Sequence, residues 1–562
     1  MPPSKAGARK GRRSVSRWRR TLAATIVASI AFPAFGAAPA PGPTLVASAK
    51  IAVVKTASGD VQGFVRRGIY TWRGIPYARA ERFMPPHAPA AWPGVRPALS
   101  YGNICPQPVN PELREPQTFI SDTRFWPASE ACQNLNIWSP APDGKKRPVM
   151  VWIHGGGFFS GSSNELAIYD GTNLARKGDV VVVSLNHRLN ALGFLDLSAY
   201  GDAYHQSANV GMLDIVAALK WVQDNIASFG GDPANVTIFG QSGGGAKVAT
   251  LLASPAAKGL FEKAIIESGA PGGFGPSALD EKTARRVAEL TLQFAGLQPG
   301  QADQLRTLPY DALNAATDKA LRAVSAEMNK GSGGPLGFPS VNWSPVVDGS
   351  FLTEAPFANG APAVSKGVPL LVGSTLSEFS NFPMPDTVGR EHWDEAAFRA
   401  FLQHRYGDRA DALLAAYKKA YPELGPSLWP TVDTGLRSGV LRTAEMKAAA
   451  GDPVYTYVFA WRSPVLDYAW AGGHSSEIGL VFDNPDEAEQ ALGGGPTVDR
   501  LAGQMSSAWI AFARSGNPNG RGVPVWPSYS AARPATMVFG ETSAARIGYD
   551  ADLIRLTAPM PH

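Results

Sequence analysis

Hydrophobic residues in this chain fall into short continuous runs that alternate with stretches of helical periodicity. Four predominantly apolar runs have the length of strands buried on both faces: residues 149–153, 180–183, 236–239 and 264–266. Residues 209–226 carry a helical repeat, and a second helix is predicted at residues 246–253, after a glycine cluster. Strands that alternate with helices predict the α/β class: a mostly parallel central sheet with helices on both faces.

The rest of the chain extends this pattern without a linker that would separate domains. Residues 50–77 read as short strands with glycine turns, residues 277–330 are alanine-rich and helical, and residues 331–339 form a loop. Two more strands and a closing helix are predicted at residues 369–372, 454–459 and 499–513. We therefore expect one large α/β domain with helical insertions, over residues 39–562.

The N-terminal segment differs in composition from this domain. Eight Lys and Arg residues stand among the first twenty, and no Asp or Glu precedes Asp60. An apolar run at residues 22–32 and small residues at 34–40 follow, an order that predicts a secretory signal peptide over residues 1–38. A transmembrane helix needs about 20 apolar residues, so we expect export to the periplasm or the extracellular space without a stable membrane anchor after cleavage. The alternatives are a nucleic-acid-binding tail and an uncleaved anchor.

This N-terminal segment also changes the meaning of the net charge. The 562 residues carry 52 Lys and Arg against 47 Asp and Glu, a formal net charge of +5. Removal of the eight N-terminal basic residues leaves 44 basic and 47 acidic residues, a net charge of −3. The net charge then gives no reason to expect a nucleic-acid partner. Hydrophobic residues at 44% and charged residues at 18% exclude a disordered chain and allow a large core.

The chain has two cysteines, Cys105 and Cys132. In an exported protein such a pair predicts one disulfide bond, with two separate buried thiols as the alternative. A zinc site is not expected, because no histidine cluster lies near either cysteine.

Residues 240–244 read Gly-Gln-Ser-Gly-Gly and match the nucleophile-elbow pattern G-x-S-x-G. The pattern alone is weak, but here it follows a predicted strand directly and precedes helix-forming residues, which is the context that the motif requires. Glycines permit the sharp turn that lifts the serine hydroxyl clear of the sheet. Ser242 is therefore the predicted nucleophile.

A serine nucleophile needs a base and an acid that orients the base, and with this motif they follow in the order Ser, acid, His. Four histidines follow Ser242: His392, His404, His474 and His562. His474 is the predicted base, since it lies in a Gly-Gly-His-Ser-Ser loop after a strand. Glu378, six residues after the strand at 369–372, is the predicted acid, and Asp348 is the alternative.

Residues 154–157 read His-Gly-Gly-Gly directly after a predicted strand, as in the oxyanion loop of esterases. Bare glycine N–H groups can approach a developing negative charge closely. The predicted donors to the oxyanion are the N–H groups of Gly156, Gly157 and Gly243, whereas His154 is expected to be structural.

Together these motifs resemble the type-B carboxylesterase family, the esterase and lipase branch of the α/β-hydrolase fold that includes the cholinesterases. The resemblance runs from about residue 51 to residue 530. The other matching stretches are Arg-Gly-Ile-Pro-Tyr-Ala at 73–78, Glu-Ala-Cys-Gln-Asn-Leu-Asn-Ile-Trp at 130–138, Asn-Val-Gly-Met-Leu-Asp at 209–214, Trp-Val-Gln-Asp-Asn-Ile at 221–226, Phe-Gly-Gly-Asp-Pro at 229–233 and Trp-Pro at 526–527.

The resemblance implies an α/β-hydrolase fold with helical insertions around an active-site gorge, and a Ser-Glu-His triad in which Glu378 stands at the position of the acid. It also implies a disulfide between Cys105 and Cys132 and a structural salt bridge between Arg188 and Asp214.

Four positions depart from the family pattern. The family usually has Glu before the nucleophile and Ala after it, where this chain has Gln241 and Gly243. Phe379 replaces a usual Gly after the acid, and Asn190 replaces a Gly in the Asn-x-Arg-Leu-Gly stretch. None of the four removes a catalytic group, although we expect Gly243 to loosen the oxyanion hole and Gln241 to alter the pH dependence of the site.

The predicted function is hydrolysis of carboxylic esters by an exported serine esterase, through an acyl-enzyme. An acyltransferase or a lipase of the same fold is the first alternative, and a non-catalytic adhesion or binding module is a remote one. The expected substrate is a small-molecule or lipid-like ester, and Phe158, Phe338 and Trp343 are candidates to line its pocket. No cofactor, metal or nucleic-acid partner is expected, because no metalloprotease, phosphate-binding or dinucleotide motif occurs. The oligomeric state is open, with a monomer favoured.

Overall fold

A computed structural model describes residues 44–108, 117–272, 278–329, 340–380, 389–468 and 472–557, which belong to one compact unit. The predicted signal peptide lies outside the described residues, as does the loop predicted at residues 331–339. Within the described ranges, no helix combines the length and the apolar character that crossing a membrane requires.

The strands form one large sheet and two small ones. In chain order they are β1 (Leu45–Val46), β2 (Val53–Thr56), β3 (Gly59–Gln62), β4 (Phe64–Arg66), β5 (Ile69–Pro76), β6 (Val95–Pro97), β7 (Asn134–Ser139), β8 (Arg147–Ile153), β9 (Val181–Leu185), β10 (Gly231–Gln241), β11 (Lys263–Glu267), β12 (Leu279–Asp280), β13 (Val346–Val347), β14 (Leu370–Thr375), β15 (Val454–Phe459), β16 (Ala535–Phe539) and β17 (Ala544–Ile547).

The large sheet has the strand order β1-β4-β5-β7-β9-β8-β10-β11-β14-β15-β16-β17. Neighbouring strands from β9 to β16 are parallel, and antiparallel strands extend the sheet at both edges. The mostly parallel central sheet predicted from the apolar runs is therefore present. The six predicted apolar strands became β8, β9, β10, β11, β14 and β15.

The α-helices pack against the large sheet or form the insertions. In chain order they are α1 (Gln117–Ile120), α2 (Thr172–Gly178), α3 (Asn190–Phe194), α4 (Val210–Asn225), α5 (Gly243–Ala253), α6 (Glu281–Phe294), α7 (Tyr310–Asn329), α8 (Glu395–Tyr406), α9 (Ala410–Ala420), α10 (Gly435–Ala449), α11 (Ile478–Val481), α12 (Glu489–Leu492), α13 (Pro496–Ser515) and α14 (Ala551–Thr557).

Two hydrophobic clusters cover the two faces of the sheet, and β8 divides its side chains between them. Val149 and Val151 belong to the cluster that contains α4 and α5. Met150 and Trp152 belong to the cluster that contains α2 and α13. Alternation of successive side chains between the faces, with helices on each, explains why β8 is apolar at nearly every position.

Four strands of the large sheet were not predicted from the sequence: β1, β7, β16 and β17. β7 contains Asn134 and Asn136 among apolar residues, yet all of its side chains are buried. Its Asn136 donates hydrogen bonds to the hydroxyl oxygens of Ser163 and Ser184, at 3.2 and 3.1 Å. β16 lies between β15 and β17, and β1 and β17 are the two edge strands.

Cys105 and Cys132 form a disulfide bond with their Cα atoms 5.0 Å apart. Both cysteines are buried and pack against Leu189. The expected disulfide is thus present, and the alternative of two separate thiols does not apply.

Arg188 and Asp214 form the salt bridge that the family resemblance implied. The guanidinium donates Nε and Nη2 hydrogen bonds to the two carboxylate oxygens at 2.9 and 2.8 Å, and the backbone N–H of Arg188 adds a third at 3.0 Å. The side chains are 3% and 0% exposed. Arg188 Nη1 also donates to the backbone carbonyls of Glu81 and Met84, so this one side chain joins three segments of the chain.

We expect Arg188→Met to lower the free energy of unfolding by about 3–5 kcal/mol, because it leaves the Asp214 carboxylate buried without its partner. The double variant Arg188→Met/Asp214→Leu should lose less, since no buried charge remains. Urea or thermal unfolding measures the difference.

The matched control is Arg322→Met, since Arg322 pairs with Asp318 and the two side chains are 67% and 52% exposed. An exposed pair contributes less than about 1 kcal/mol, so this variant should unfold like the original protein. Equal losses at the two arginines would contradict the expectation.

Candidate active site

The predicted catalytic residues lie in loops that leave one edge of the large sheet. The glycine loop 154–157 follows β8, Ser242 follows β10, Glu378 follows β14 and His474 follows β15. Because these four strands are parallel, their carboxyl ends lie along the same edge, where sites in open α/β sheets form.

Ser242 stands in a strained turn between β10 and α5. Its backbone angles are φ 56° and ψ −125°, in agreement with the predicted elbow. Its N–H donates to the carbonyl of Glu267 at 2.8 Å. A Cβ atom at Gly240 would lie 2.6 Å from the backbone of both Ile153 and Gly244, so the first glycine of the motif is a packing requirement. The serine is held directly before the first residue of α5.

The glycine loop lies against the start of α5. Gly156 and Gly157 have φ angles of 80° and 61°, in the region that favours glycine. A Cβ atom at Gly243 would lie 2.4 Å from the backbone nitrogen of Gly157. The three predicted N–H donors are therefore neighbours. Gly243 is tightly packed beneath the loop, so the expected loosening of the oxyanion hole has no support in the packing.

His474 contacts Glu378, as predicted for base and acid. The Nδ1 atom of His474 lies 2.5 Å from Oε2 of Glu378, and the backbone N–H of His474 donates to the Glu378 carbonyl at 3.0 Å. The other carboxylate oxygen of Glu378 accepts the N–H of Thr375 at 2.7 Å. Glu378 is fully buried, whereas the His474 side chain is 21% exposed. The acid is fixed, and the imidazole can still be reached from solvent.

The surroundings of His474 favour its protonated form. Burial lowers the pKa of His474, but the charge of Glu378 and its hydrogen bond raise it, with further contributions from Glu477 and Asp433. The net pKa lies above the ordinary value of 6.5.

Gln241 contacts the same imidazole from the nucleophile side. Its amide nitrogen lies 3.3 Å from Nε2 of His474, and its amide oxygen accepts the Ser475 hydroxyl at 3.0 Å. Among the hydrogen bonds of the described residues, none joins Ser242 Oγ to the imidazole. Phe379, which replaces the usual glycine, stacks on His474 with ring centroids 5.6 Å apart. Both departures from the family pattern therefore contact the predicted base.

Two buried carboxyl groups, Glu477 and Asp433, lie near the Glu378–His474 pair, and a third, Glu267, lies near Glu477. Burial is the main cause of each pKa shift, and it raises the pKa of Glu477 and of Asp433 to about 7, with the charge of Glu378 acting in the same direction. Burial and the charge of Glu477 raise the pKa of Glu267 to about 8, and one of its oxygens accepts the Trp509 indole N–H at 2.7 Å. These groups were not predicted, because the sequence around an acidic residue gives no sign of its burial.

The two described candidates for the substrate pocket are buried side chains. Phe158 is 7% exposed and packs edge-on against Phe194, with ring centroids 5.3 Å apart. Trp343 is also 7% exposed and belongs to the core cluster that contains α4 and α5. Phe338 lies outside the described residues.

The alternative acid and the alternative bases lie in other surroundings. Asp348 accepts backbone N–H groups from residues 350–352 and the side chain of Asn209, which makes it a turn cap. His392 has an 86% exposed side chain, and His404 lies on α8. His562 is outside the described residues.

Asn190, the fourth departure from the family pattern, replaces a glycine in a left-handed turn. Its φ angle is 49°, a conformation that asparagine tolerates better than most residues. Its amide nitrogen donates to the carbonyl of Pro106 at 2.8 Å and contacts the Tyr310 hydroxyl at 3.1 Å.

A cavity of about 270 Å³ adjoins His474. Four carboxylates contribute to its lining: Asp122, Asp486, Glu487 and Glu489. Across the described ranges, no three His, Cys, Asp or Glu side chains are grouped so that they could hold a metal ion.

Comparison with known proteins places the whole domain in one family. Residues 50–552 match the carboxylesterase family model. Para-nitrobenzyl esterase of Bacillus subtilis is 37% identical over 86% of this chain and 94% of its own length. Phenmedipham hydrolase of Pseudarthrobacter oxydans is 35% identical over 88% and 96%.

Solved structures agree with this assignment. An esterase from Clostridium hathewayi that can hydrolyse aliphatic aromatic polyesters superposes with a TM-score of 0.81 and 38% identity, over 91% of this chain and 98% of its own. The resemblance read from the sequence motifs is thereby confirmed, together with the α/β-hydrolase fold. The chain belongs to the carboxylesterase family and is a carboxylic ester hydrolase of the bacterial type-B group.

Proposed function

We propose that this carboxylesterase is an exported serine esterase in which Ser242, His474 and Glu378 form the catalytic triad. The observation that carries the proposal is the 2.5 Å contact between His474 Nδ1 and Glu378 Oε2, at the sheet edge where Ser242 occupies its strained turn. With its Nδ1 proton directed at Glu378, the imidazole keeps the lone pair on Nε2 free to act as a base.

In the first half of the reaction, Nε2 of His474 takes the proton of the Ser242 hydroxyl while Oγ attacks the ester carbonyl. The carbonyl oxygen becomes negative, and the N–H groups of Gly156, Gly157 and Gly243 donate to it. His474 then gives its proton to the leaving alcohol, and the acyl group remains on Ser242 as an ester.

In the second half, His474 removes a proton from water, and the resulting hydroxide attacks the acyl-enzyme. The carbon–oxygen bond to Ser242 breaks, the carboxylic acid departs, and the proton returns to Oγ. No cofactor takes part in either half.

The side chains must shift slightly before the first step, because Nε2 of His474 contacts the Gln241 amide at 3.3 Å. Catalytic hydrogen bonds often tighten only when substrate binds. The Ser242 hydroxyl would replace the Gln241 amide beside Nε2 of His474. Because Gln241 is neutral, this exchange leaves no charge without a partner.

The proposed substrates are uncharged small-molecule esters, with para-nitrobenzyl and other aryl esters the first to test. Support comes from the 37% identical para-nitrobenzyl esterase and from the polyester-hydrolysing structural neighbour. An anionic ester that approached His474 through the adjoining cavity would be repelled by the carboxylates of its lining, to which Ser242 and the glycine loop do not contribute.

Export is proposed from the basic, apolar and small residues at the N-terminus, with residues 39–562 as the mature domain. The Cys105–Cys132 disulfide supports it, because structural disulfides persist mainly in oxidising compartments.

Ser242→Ala should lower kcat for a p-nitrophenyl ester by at least about 10⁴-fold, because the reaction loses its nucleophile. It should also abolish covalent labelling by an organophosphate, which mass spectrometry of the Ser242 peptide detects.

Ser268→Ala is the matched control, since Ser268 also follows a parallel strand with a positive φ angle, here 49°. Because Ser268 Oγ lies 3.5 Å from a carboxylate oxygen of Glu477, this control should keep labelling, and its kcat should fall far less than that of Ser242→Ala. Hydrolysis and labelling that survive in Ser242→Ala would refute the proposed nucleophile.

Glu378→Gln should lower the pKa of His474, because burial still lowers that pKa while the attraction to Glu378 is gone. The acid limb of kcat/KM, where His474 loses its proton to become a base, should move to lower pH as kcat falls by about 10⁴-fold. NMR titration of the imidazole ring signals gives the pKa directly. Glu327→Gln, in an exposed ion pair, should change neither quantity.

Gly243→Ala restores the residue that the family usually has, but in this chain the added Cβ would lie 2.4 Å from the backbone of Gly157, so the glycine loop would have to shift. We expect that shift to misplace N–H donors and to lower kcat by about 10- to 100-fold. Gly503→Ala is the control within a helix, where no heavy atom lies within 4 Å of the added Cβ. Steady-state kinetics should separate the two. Full activity of Gly243→Ala would mean that the loop can move without loss of the donors.

A further inference from the structure

A fully buried lysine lies beneath the oxyanion loop. Lys247 is on α5, five residues after Ser242, and its side chain is 0% exposed. Taking an ammonium group out of water costs several kcal/mol unless the protein supplies compensating contacts. The contacts of Lys247 therefore indicate what the buried charge does.

Those contacts are with the backbone of the glycine loop. The Nζ atom donates to the carbonyl of His154 at 2.9 Å and lies 3.5 Å from the carbonyl oxygen of Gly155. The Gly155 oxygen also lies 2.9 Å from Nδ1 of His154. The Gly155 carbonyl is thus held from two sides.

The Gly155 carbonyl shares one peptide group with the N–H of Gly156. In a planar trans peptide the C=O and N–H bonds point in opposite directions. A cation that holds the Gly155 oxygen therefore directs the Gly156 N–H away from itself, and it draws electron density from that N–H. Gly156 is one of the proposed oxyanion donors.

The groups around Lys247 are two imidazoles, one carboxyl group and an aromatic ring. Burial and the charge of Lys247 lower the pKa of His154 and of His187 well below 6.5, so both stacked imidazoles are neutral. Burial lowers the pKa of Lys247 to about 7 and raises the pKa of Glu165 to about 7, and the attraction between the two groups opposes both shifts and favours the ammonium. Phe158 lies with its ring centroid 5.8 Å from Nζ.

A second buried lysine, Lys447, can be compared with Lys247 as an example of a purely structural role. Lys447 on α10 is also 0% exposed, donates to the carbonyl of Ser365 at 2.8 Å and pairs with Asp452 at 2.5 Å. Lys447 binds a backbone carbonyl and a carboxylate away from the proposed triad. Lys247 instead binds carbonyls within the loop that supplies two of the three proposed oxyanion donors.

We propose that Lys247 is a positioning residue of the oxyanion hole: its ammonium group fixes the His154 and Gly155 carbonyls and so directs the Gly156 N–H at the developing negative charge. This inference rests on the proposed function of Ser242 and the glycine loop. It adds a charged group behind the oxyanion hole that touches neither substrate nor reacting atoms.

Lys247→Met and Lys447→Met test this role with the same substitution at two buried lysines. We expect Lys247→Met to lower kcat for a p-nitrophenyl ester by about 10- to 100-fold while KM changes by less than about 3-fold, since oxyanion contacts form in the transition state. Inhibition by a trifluoromethyl ketone, which forms a tetrahedral adduct with the serine, should weaken by a similar factor. Lys447→Met should lose thermal stability and keep its kcat and its affinity for the inhibitor.

Glu165→Gln supplies a second test that does not remove the buried lysine. Loss of the attraction to Glu165 should lower the pKa of Lys247. In a titration toward alkaline pH, the ammonium would then lose its proton earlier than in the unsubstituted protein. The alkaline limb of kcat should therefore move to lower pH in Glu165→Gln, and Lys247→Met should lack this limb.

Two results would overturn the role of Lys247: a kcat in folded Lys247→Met equal to that of Lys447→Met, or an alkaline limb that Glu165→Gln leaves in place. If Lys247→Met fails to fold, the pH profile of Glu165→Gln decides alone. Failure of the proposed function is separate, because the unsubstituted protein would then neither hydrolyse the ester nor be labelled at Ser242.

Discussion

The parallel pairing of β8 with β10 is the constraint on which the site depends. Ile153 at the end of β8 pairs with Gly240 at the end of β10, so the glycine loop and the nucleophile turn leave the sheet side by side. Backbone then packs directly on backbone: in this chain a Cβ atom at Gly240 or Gly243 would lie 2.6 or 2.4 Å from neighbouring backbone atoms. The glycines let the loop lie close to Ser242, and a Cβ atom at either position would require the loop to shift.

Charge at this edge of the sheet is controlled mainly by burial. Asp433 and Glu477 lie near Glu378, Glu267 lies near Glu477, and burial raises the pKa of each toward or above neutrality. Protonation of these groups near pH 7 limits the negative charge that accumulates beside Glu378. On the other side of Ser242, Lys247 lies beneath the glycine loop. In its ammonium form it places a positive charge opposite the Glu378 carboxylate.

The departures from the family pattern have local physical explanations. Gln241 replaces an acidic residue with a neutral amide that contacts the imidazole and the Ser475 hydroxyl. Phe379 adds a ring that stacks on the same imidazole. Asn190 occupies a left-handed turn that its side chain stabilises by hydrogen bonds. These changes adjust how His474 and the nearby loop are held, and none of them replaces a residue of the proposed triad.

Apolar runs and glycine motifs are local signals, so the class of fold and the central strands could be predicted from the sequence, and a candidate triad could be named. β7 was not predicted, because its buried asparagines look like exposed polar positions until their partners on other segments are known. The contact of Gln241 with His474 and the place of Lys247 under the glycine loop became visible in the folded chain alone. Burial, pKa and contact between segments distant along the chain depend on which segments pack together, and no single stretch of sequence encodes that packing.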